Sequence, residues 1–139
     1  VSEGGYRLYP SSVTVPTAAE AGSTVCLSHV WENLGWGYCP NNLRQWHYRY
    51  KPAFVLLNSD GKVVRTFVDR QSEPSEWIKG RLGTHSFSAD LNGVDPGEYT
   101  WAIGIADTMR GNRKGLNIAV DKDRLTQDGW LKLEKVTIK

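Results

Sequence analysis

The densest group of side chains suited to ligand recognition lies in one stretch, LGWGYCPNNLRQWHYRYKP, residues 34–52. It holds two Trp, three Tyr, one His, two Arg and one Lys, and no Asp or Glu occurs between Glu32 and Asp60. Aromatic rings pack against the apolar C–H face of a pyranose, while Arg, Asn, Gln and His hydrogen-bond the hydroxyls at its rim. The stretch therefore has the chemistry of a sugar-binding surface.

The spacing inside this stretch leaves two interpretations of its aromatic residues open. Trp46, Tyr48 and Tyr50 alternate with His47 and Arg49 as the two faces of a strand do, so the aromatic face is either ordinary core or a flat stacking surface. Arg pairs bidentately with carboxylate or sulfate, which favours an acidic polysaccharide, although the arginines would equally serve to solvate a loop. The predicted glycan contacts are Trp36, Tyr38, Asn42, Arg44, Trp46, His47, Tyr48, Arg49, Tyr50, Trp77, Arg110 and Arg113.

Catalytic and metal sites are poorly represented, so we expect neither an enzyme nor a bound cofactor. Glycoside hydrolysis needs two carboxylates about 5–9.5 Å apart, and the best available pair, Glu32 and Asp107, belongs to no motif. The segment DKDRLTQDG resembles a calcium loop only loosely and lacks the full EF-hand spacing. A solvated loop is the favoured interpretation there, with a structural calcium ion on Asp121, Asp123 and Asp128 as the alternative.

The elements that must position these residues are strands. Short segments rich in β-branched and aromatic residues alternate with Pro and Gly turns, and no window has a helical period. Asp60-Gly61 favours a tight type I′ hairpin turn. The pattern predicts an all-β fold, an antiparallel β-sandwich of immunoglobulin-like or jelly-roll Greek-key type, as one domain over 1–139. The predicted fold has about eight strands, and the candidate segments for them are 6–10, 12–16, 24–33, 53–58, 62–68, 85–91, 98–106, 116–120 and 130–138.

Alternating strand directions then place three loops, 34–52, 69–84 and 107–115, at one end of the sandwich. Such clustered loops are a usual place for a recognition site. This end adds Trp77, Arg110 and Arg113 to the predicted contacts. The other Trp residues lie within or at the start of strands, and we expect them to be structural: Trp31, Trp101 and Trp130.

Composition narrows the classes of partner. The chain has 139 residues, a formal net charge of +2 and no apolar run near the roughly 20 residues that span a bilayer. We therefore expect a monomer without a nucleic-acid or membrane partner. The chain begins at Val1, which indicates a domain excised from a longer protein. Cys26 and Cys39 permit one disulfide, and buried free thiols are the alternative.

Several segments, in order, carry a family resemblance: HVWENLGWGY, RYKPAFVLLNSDGKVV, EPSEWIKG, LNGVDPGEYTWAIGIAD and GLNIAVDKDRLTQDGWLKLEKVTI. The chain resembles the C-terminal β-sandwich module of secreted bacterial proteins that have glycoside-hydrolase-like barrels. Leu131 stands where that family often has Tyr after the Asp-Gly-Trp sequence. The resemblance covers most of the chain and implies a secreted or cell-surface accessory module of a carbohydrate-active enzyme.

Two functions follow as expectations. The first is a non-catalytic carbohydrate-binding module that holds a polysaccharide-degrading enzyme on its substrate. The alternative is a structural module whose aromatic loop packs against the catalytic domain of the same parent chain. Single-stranded nucleic-acid binding also uses aromatic and basic residues, but the small net charge disfavours it.

Overall fold

The computed structural model describes residues 8–33, 49–74, 77, 83–116, 118, 120, 122–126 and 129–139. They form nine β-strands and a 3₁₀ turn at Lys122–Arg124. The strands are β1 (Leu8–Thr14), β2 (Ala18–Ala19), β3 (Thr24–Asn33), β4 (Tyr50–Leu57), β5 (Val63–Val68), β6 (Gly83–Asp90), β7 (Gly97–Asp107), β8 (Arg113–Leu116) and β9 (Leu131–Ile138).

The strands form two sheets, and the predicted β-sandwich is confirmed. One sheet has the order β1-β3-β6, and the other has the order β2-β9-β7-β4-β5, with β8 also paired to β7. Every pairing between described strands is antiparallel except the short β2–β9 contact. Because the chain passes between sheets from β3 to β4 and from β5 to β6, the order is that of an immunoglobulin-like Greek key.

The local predictions hold with four corrections. The two predicted N-terminal strands are one strand with an irregularity between Pro10 and Ser12. The strand predicted at 116–120 lies earlier, at Arg113–Leu116. The short strand β2 escaped prediction because two alanines carry no periodic signal.

The fourth correction concerns the β4–β5 turn, which is longer than the predicted two-residue type I′ turn. The Gly61 N–H donates to the Asn58 carbonyl, and the Asn58 N–H donates to the Lys62 carbonyl, both at 2.9 Å. Gly61 takes a φ of 77°, while Asp60 keeps a negative φ. This is the three-residue hairpin loop with a glycine bulge, since a type I′ turn needs a positive φ at both central residues.

A bulge explains the uneven pattern of the last strand. Thr100 pairs with Lys135, but Ala102 pairs with Lys132, so β9 has one extra residue between these pairs. Each extra residue reverses which face the following side chains occupy. Leu131 before the bulge and Val136 after it therefore both reach the core, although their spacing is odd.

The main core lies between the two sheets and is rich in aromatic rings. Trp31 and Trp101 are fully buried, as predicted, and Phe54 packs edge-on against Trp101 with ring centroids 6.3 Å apart. Aromatic pairs in this geometry add to the free energy of folding beyond the area they bury. The core residues thus fix the two sheets against each other.

A second apolar layer covers the outer face of β4 and β7. Ala53, Val55 and Ala102 are fully buried there, and Trp130 packs on them with 3% of its surface exposed. A β-carbon on Gly104 would come within 2.7 Å of the Trp130 ring, so this glycine is what lets the indole lie against the sheet. The structural role predicted for Trp130 is confirmed.

Two further observations concern membrane-spanning helices and the cysteines. Among the described residues, no helix is long and apolar enough to cross a membrane. Cys26 is an exposed free thiol on β3, so the expectation of a buried thiol is wrong at this position because its side chain faces solvent. Cys39 lies outside the described residues.

Candidate functional site

Parts of the three predicted loops meet at one end of the sandwich. Tyr50 pairs with Asp107 at the ends of β4 and β7, and the Thr108 N–H donates to the Arg49 carbonyl at 2.8 Å. The Asp69 N–H donates to the Pro52 carbonyl at 2.9 Å. We call this region the loop end; it comprises residues 33, 49–52, 69–74, 77, 83 and 107–113.

Most of the predicted glycan contacts lie outside the described residues. This is so for Trp36, Tyr38, Asn42, Arg44, Trp46, His47 and Tyr48. The structure places Arg49, Tyr50, Trp77 and Arg110 at the loop end, together with the backbone of Arg113. The prediction for the first seven residues and for the Arg113 side chain therefore stays a prediction, and the side chains of the other four can be described.

Arg49 is held by a carboxylate of its own chain. Its Nε donates to Asp107 Oδ1 at 2.8 Å and its Nη2 to Asp107 Oδ2 at 2.6 Å, the bidentate geometry of a strong ion pair. Asp107 is 3% exposed. The guanidinium fork that was predicted to bind a glycan carboxylate is thus occupied, because an acid 58 positions away supplies the partner that the local sequence lacks.

Lys51 is compensated in the same way. Its Nζ donates to Glu73 Oε1 at 3.0 Å and to the Ser72 carbonyl at 3.2 Å. The stretch from 33 to 59 has no acids in sequence, but in space two of its cations face acids from other loops. The described part of the loop end is consequently less basic than its sequence indicates.

The remaining described candidates differ in exposure. Tyr50 is half-buried and packs against the main core, with the Arg49 guanidinium 5.3 Å from its ring centroid. Arg110 is 76% exposed, 3.8 Å from Asp107 Oδ2. Beside it, Met109 is 59% exposed on a turn whose Met109 N–H donates to Asp107 Oδ1 at 3.0 Å. Sequence reasoning missed Met109, an exposed apolar side chain on a fixed turn.

Trp77 corrects the prediction that placed it among the surface contacts. It is 2% exposed and stacks on Trp31, with ring centroids 5.0 Å apart and planes inclined by 11°. Its Nε1 donates to His85 Nε2 at 3.1 Å. The ring is therefore part of the core, because it lies against Trp31 of β3 and is covered from solvent.

Beneath the loop end lies a buried hydrogen-bonded chain that the sequence did not reveal. Trp31 Nε1 donates to His29 Nδ1 at 2.8 Å, and His29 Nε2 lies 2.9 Å from Asp69 Oδ2. An indole N–H only donates, so Nδ1 must accept, and the neutral ring then carries its hydrogen on Nε2 and donates to Asp69. Ser72 Oγ donates to the same carboxylate oxygen at 2.7 Å.

This polar network fixes the loop end to the sandwich. It links β3 to the connection that follows β5, and the Asn33 side-chain amide adds a bond to the Trp77 carbonyl at 3.0 Å. One signal in the sequence pointed to it. His29 and Asn33 occupy the same alternate positions of β3 as Leu27 and Trp31, which are buried, so polar groups there require buried partners.

The two aspartates of the loop end, Asp69 and Asp107, are more acidic than an ordinary aspartate. Burial raises the pKa of Asp69, but hydrogen bonds from His29, Ser72 and the backbone of Gln71 outweigh it and hold the pKa below its usual value. Burial likewise raises the pKa of Asp107, and hydrogen bonds from Arg49 and the Met109 backbone outweigh it. Both carboxylates are therefore ionised at neutral pH.

These pKa shifts predict acid sensitivity with a defined sign. A carboxylate whose pKa is lower in the folded state stabilises the fold fully above its unfolded pKa of about 4, and this contribution is lost as the pH falls through the folded value. We expect the free energy of unfolding, measured by urea denaturation, to fall below about pH 4. Asp107→Asn should flatten this fall, whereas the exposed control Asp95→Asn should not; an equal slope in both variants would contradict the assignment.

No metal centre is found in the part of the chain that the structure describes. No group of three or more His, Cys, Asp or Glu side chains there is placed to hold an ion. Of the three residues of the calcium alternative, Asp123 is exposed within the 3₁₀ turn, while Asp121 and Asp128 lie outside the described residues.

Comparisons with known proteins show similarity in fold but not in sequence. No protein-family model matches the chain. A search of curated proteins gave no match. Among solved structures, the CARDB domain of a Pyrococcus furiosus protein, determined in complex with di-metal ions, shares 11% identity at a TM-score of 0.51, covering 99% of this chain and 97% of that one.

Two further solved structures are similar. The C-terminal domain of Wzt shares 13% identity at a TM-score of 0.52, covering 99% of this chain and 75% of that one. A β-glucosidase from Listeria innocua shares 12% identity at a TM-score of 0.46, covering 96% of this chain and 16% of that one. At these identities the likeness concerns the β-sandwich alone.

Proposed function

We propose that the chain is a non-catalytic carbohydrate-binding module of a secreted or cell-surface polysaccharide-degrading protein. The segment 36–50 engages the glycan from the loop end. Binding there holds an attached catalytic domain on its substrate and raises the effective concentration of that substrate.

The observation that carries this proposal is the anchoring of the segment at both flanks. Asn33, on its N-terminal side, donates to the Trp77 carbonyl, and Arg49, on its C-terminal side, is paired with Asp107. Both flanks belong to the loop end, so the chain leaves and re-enters the sandwich at the same place. The two ends of the most aromatic part of the sequence are thereby held at one place on the sandwich.

The structural roles of Asp69 and Asp107 support the proposal that the module is non-catalytic. Asp69 and Asp107, both nearly buried, are engaged by hydrogen bonds that organise the fold. A pair of carboxylates flanking a scissile bond must instead be free to protonate the leaving group and to act as base or nucleophile.

Fewer basic side chains are available to bind an acidic glycan than the sequence indicates. Arg49 and Lys51 are paired with acids of their own chain, so they contribute less positive charge towards an acidic ligand than the sequence indicates. We retain the acidic polysaccharide as the preferred ligand class because Arg110 is exposed at the loop end.

Affinity electrophoresis through gels cast with neutral and acidic polysaccharides tests the proposal. We expect one class to retard the domain, and Trp46→Ala to weaken binding by about thirtyfold or more, as loss of an aromatic hot spot does. Val64→Ala, which truncates a 47% exposed side chain on β5, is the matched control and should bind normally.

The other outcomes are equally informative. Silence towards every polysaccharide, with binding to the catalytic domain of the parent chain, would replace the proposal with the structural-module alternative. Retention by single-stranded nucleic acid that falls steeply with salt would replace it with the third class.

A further inference from the structure

A groove lies on the open side of the sandwich, where the two sheets part. In the described topology β6 ends one sheet and β5 ends the other. Between β6 and the chain that leaves β5 is a groove of about 410 Å³, lined by Val68, Asp69, Arg70, Gln71, Ser86, Phe87 and Ser88. We call it the seam groove. Its volume lies in the lower part of the range of ligand sites.

The seam groove contains a fixed carboxylate with an unused acceptor position. Asp69 receives two hydrogen bonds on Oδ2, from His29 and Ser72, and one on Oδ1, from the Gln71 backbone N–H at 3.1 Å. A carboxylate offers about four acceptor positions, so one remains on Oδ1. A charged acceptor held by three donors needs no rearrangement to bind a hydroxyl, which favours tight, oriented hydrogen bonding.

The other residues that line the groove add neutral donors, one cation and one ring. Ser86, Ser88 and Gln71 are exposed, and Arg70, next to Asp69 in the sequence, is an exposed cation. Phe87 is half-buried and stacks parallel to Phe54, with ring centroids 6.3 Å apart. The lining of the groove thus includes residues with hydroxyl, amide, guanidinium and aromatic groups in addition to the carboxylate.

This chemistry selects among ligand classes. A negatively charged ligand would be repelled by the Asp69 carboxylate, and a ligand with an ammonium group would be repelled by the Arg70 guanidinium. An apolar ligand would leave the carboxylate without water, at a cost of several kcal/mol. A neutral polyhydroxylated molecule satisfies both kinds of group, because each hydroxyl donates and accepts.

We infer that the seam groove is a second sugar-binding site, which takes a neutral sugar unit with a hydroxyl donated to Asp69 Oδ1. The inference rests on the proposed function, since it assigns a second contact with glycan to the same module. The residues of this site are distinct from the predicted contacts of segment 36–50.

The first experiment maps binding on the wild-type domain. The ¹⁵N-labelled domain is titrated with cellohexaose, maltohexaose, mannohexaose and xylohexaose while its amide resonances are followed. We expect one of them to shift the amides of Gln71, Ser86 and Ser88 along a single saturation curve.

The second experiment removes two hydrogen-bonding side chains. Gln71→Ala combined with Ser86→Ala keeps the Gln71 backbone bond to Asp69, so the fold should stand. We expect roughly three- to tenfold weaker binding of the same hexasaccharide, as loss of one or two neutral hydrogen bonds gives. The control pair Ser12→Ala and Thr14→Ala removes exposed hydroxyls from β1, at the opposite edge of the sheet, and should bind unchanged.

The outcomes separate the two proposals. Shifts at other residues with silent groove amides would overturn the seam-groove site and leave the proposed function standing. Shifts in the groove, with Trp46→Ala binding normally, would support the groove and overturn the assignment to segment 36–50. No shift with any hexasaccharide and no retardation in any gel would overturn both. If the double variant misfolds, the wild-type titration decides.

Discussion

Replacing Asp69 with alanine is expected to lower the free energy of unfolding by about 2–6 kcal/mol, because two buried hydrogen-bond donors lose their acceptor. The carboxylate is 4% exposed and accepts from His29, which is fully buried, and from Ser72, which is 1% exposed. Without it, both donors remain buried with no acceptor, and each costs about 1–3 kcal/mol.

Urea denaturation at neutral pH measures the effect, and the exposed Asp95→Ala is the matched control. Surface substitutions of this kind change stability by less than about 0.5 kcal/mol. A loss no larger than that of the control would show that water or a rearranged side chain replaces the carboxylate, and the network would then have no structural role.

A double-mutant cycle with His29→Leu isolates the pair itself. We expect an interaction energy of about 1–3 kcal/mol between the two positions, because the second substitution removes the donor that the first left unpaired. The cycle does not return the protein to full stability. His29→Leu leaves the Trp31 indole N–H without its acceptor, so Trp31→Phe should restore part of the difference.

The strand plan could be predicted because its signals are local. The 24–33 strand, the hairpin around Gly61 and the turn before β7 are each set by side chains and glycines within a few positions. Even where the turn type was wrong, the hairpin was right, since flanking apolar strands decide the pairing and the turn residues decide only its geometry.

The burial of β4 on both of its faces was harder to predict from the sequence. The run AFVLL at 53–57 does not alternate, and both of its faces are in fact covered. An unbroken apolar run is typical of a strand buried on both sides. The identity of the cover, Trp130 lying over Gly104, could not be predicted because these residues are joined only by tertiary packing.

The candidate site depended on pairings over long sequence separation, and these were beyond prediction. Arg49 pairs with Asp107, 58 positions away in the sequence, and His29 hydrogen-bonds Asp69, 40 positions away. Counting charges within a segment misses such partners, so the basic character inferred for 34–52 was too strong. The prediction that the three loops share one end of the sandwich is confirmed for their described ends, because strand direction alone determines where those ends lie.

Trp77 was predicted as a surface contact from its residue type and loop position, but it is buried. Its replacement is the second substitution expected to have a large effect on stability. Trp77→Ala should lower the free energy of unfolding by about 3–5 kcal/mol, the usual cost of deleting a buried aromatic ring. The substitution removes the stack on Trp31 and the donor to His85, and it opens a cavity beside Gly83, whose α-carbon lies against the indole.

Trp77→Phe distinguishes packing from hydrogen bonding at this position. It keeps a ring against Trp31 but removes the Nε1 donor, so we expect a smaller loss, of about 1–2 kcal/mol, with His85 left without this bond. Glycan retardation is then measured under conditions where both variants remain folded. Because the ring is core, affinity should change by less than about twofold, well under one kcal/mol. Loss of binding in a folded Trp77→Phe variant, with stability near that of the wild type, would return this residue to the glycan surface and place the binding site over the end of β3.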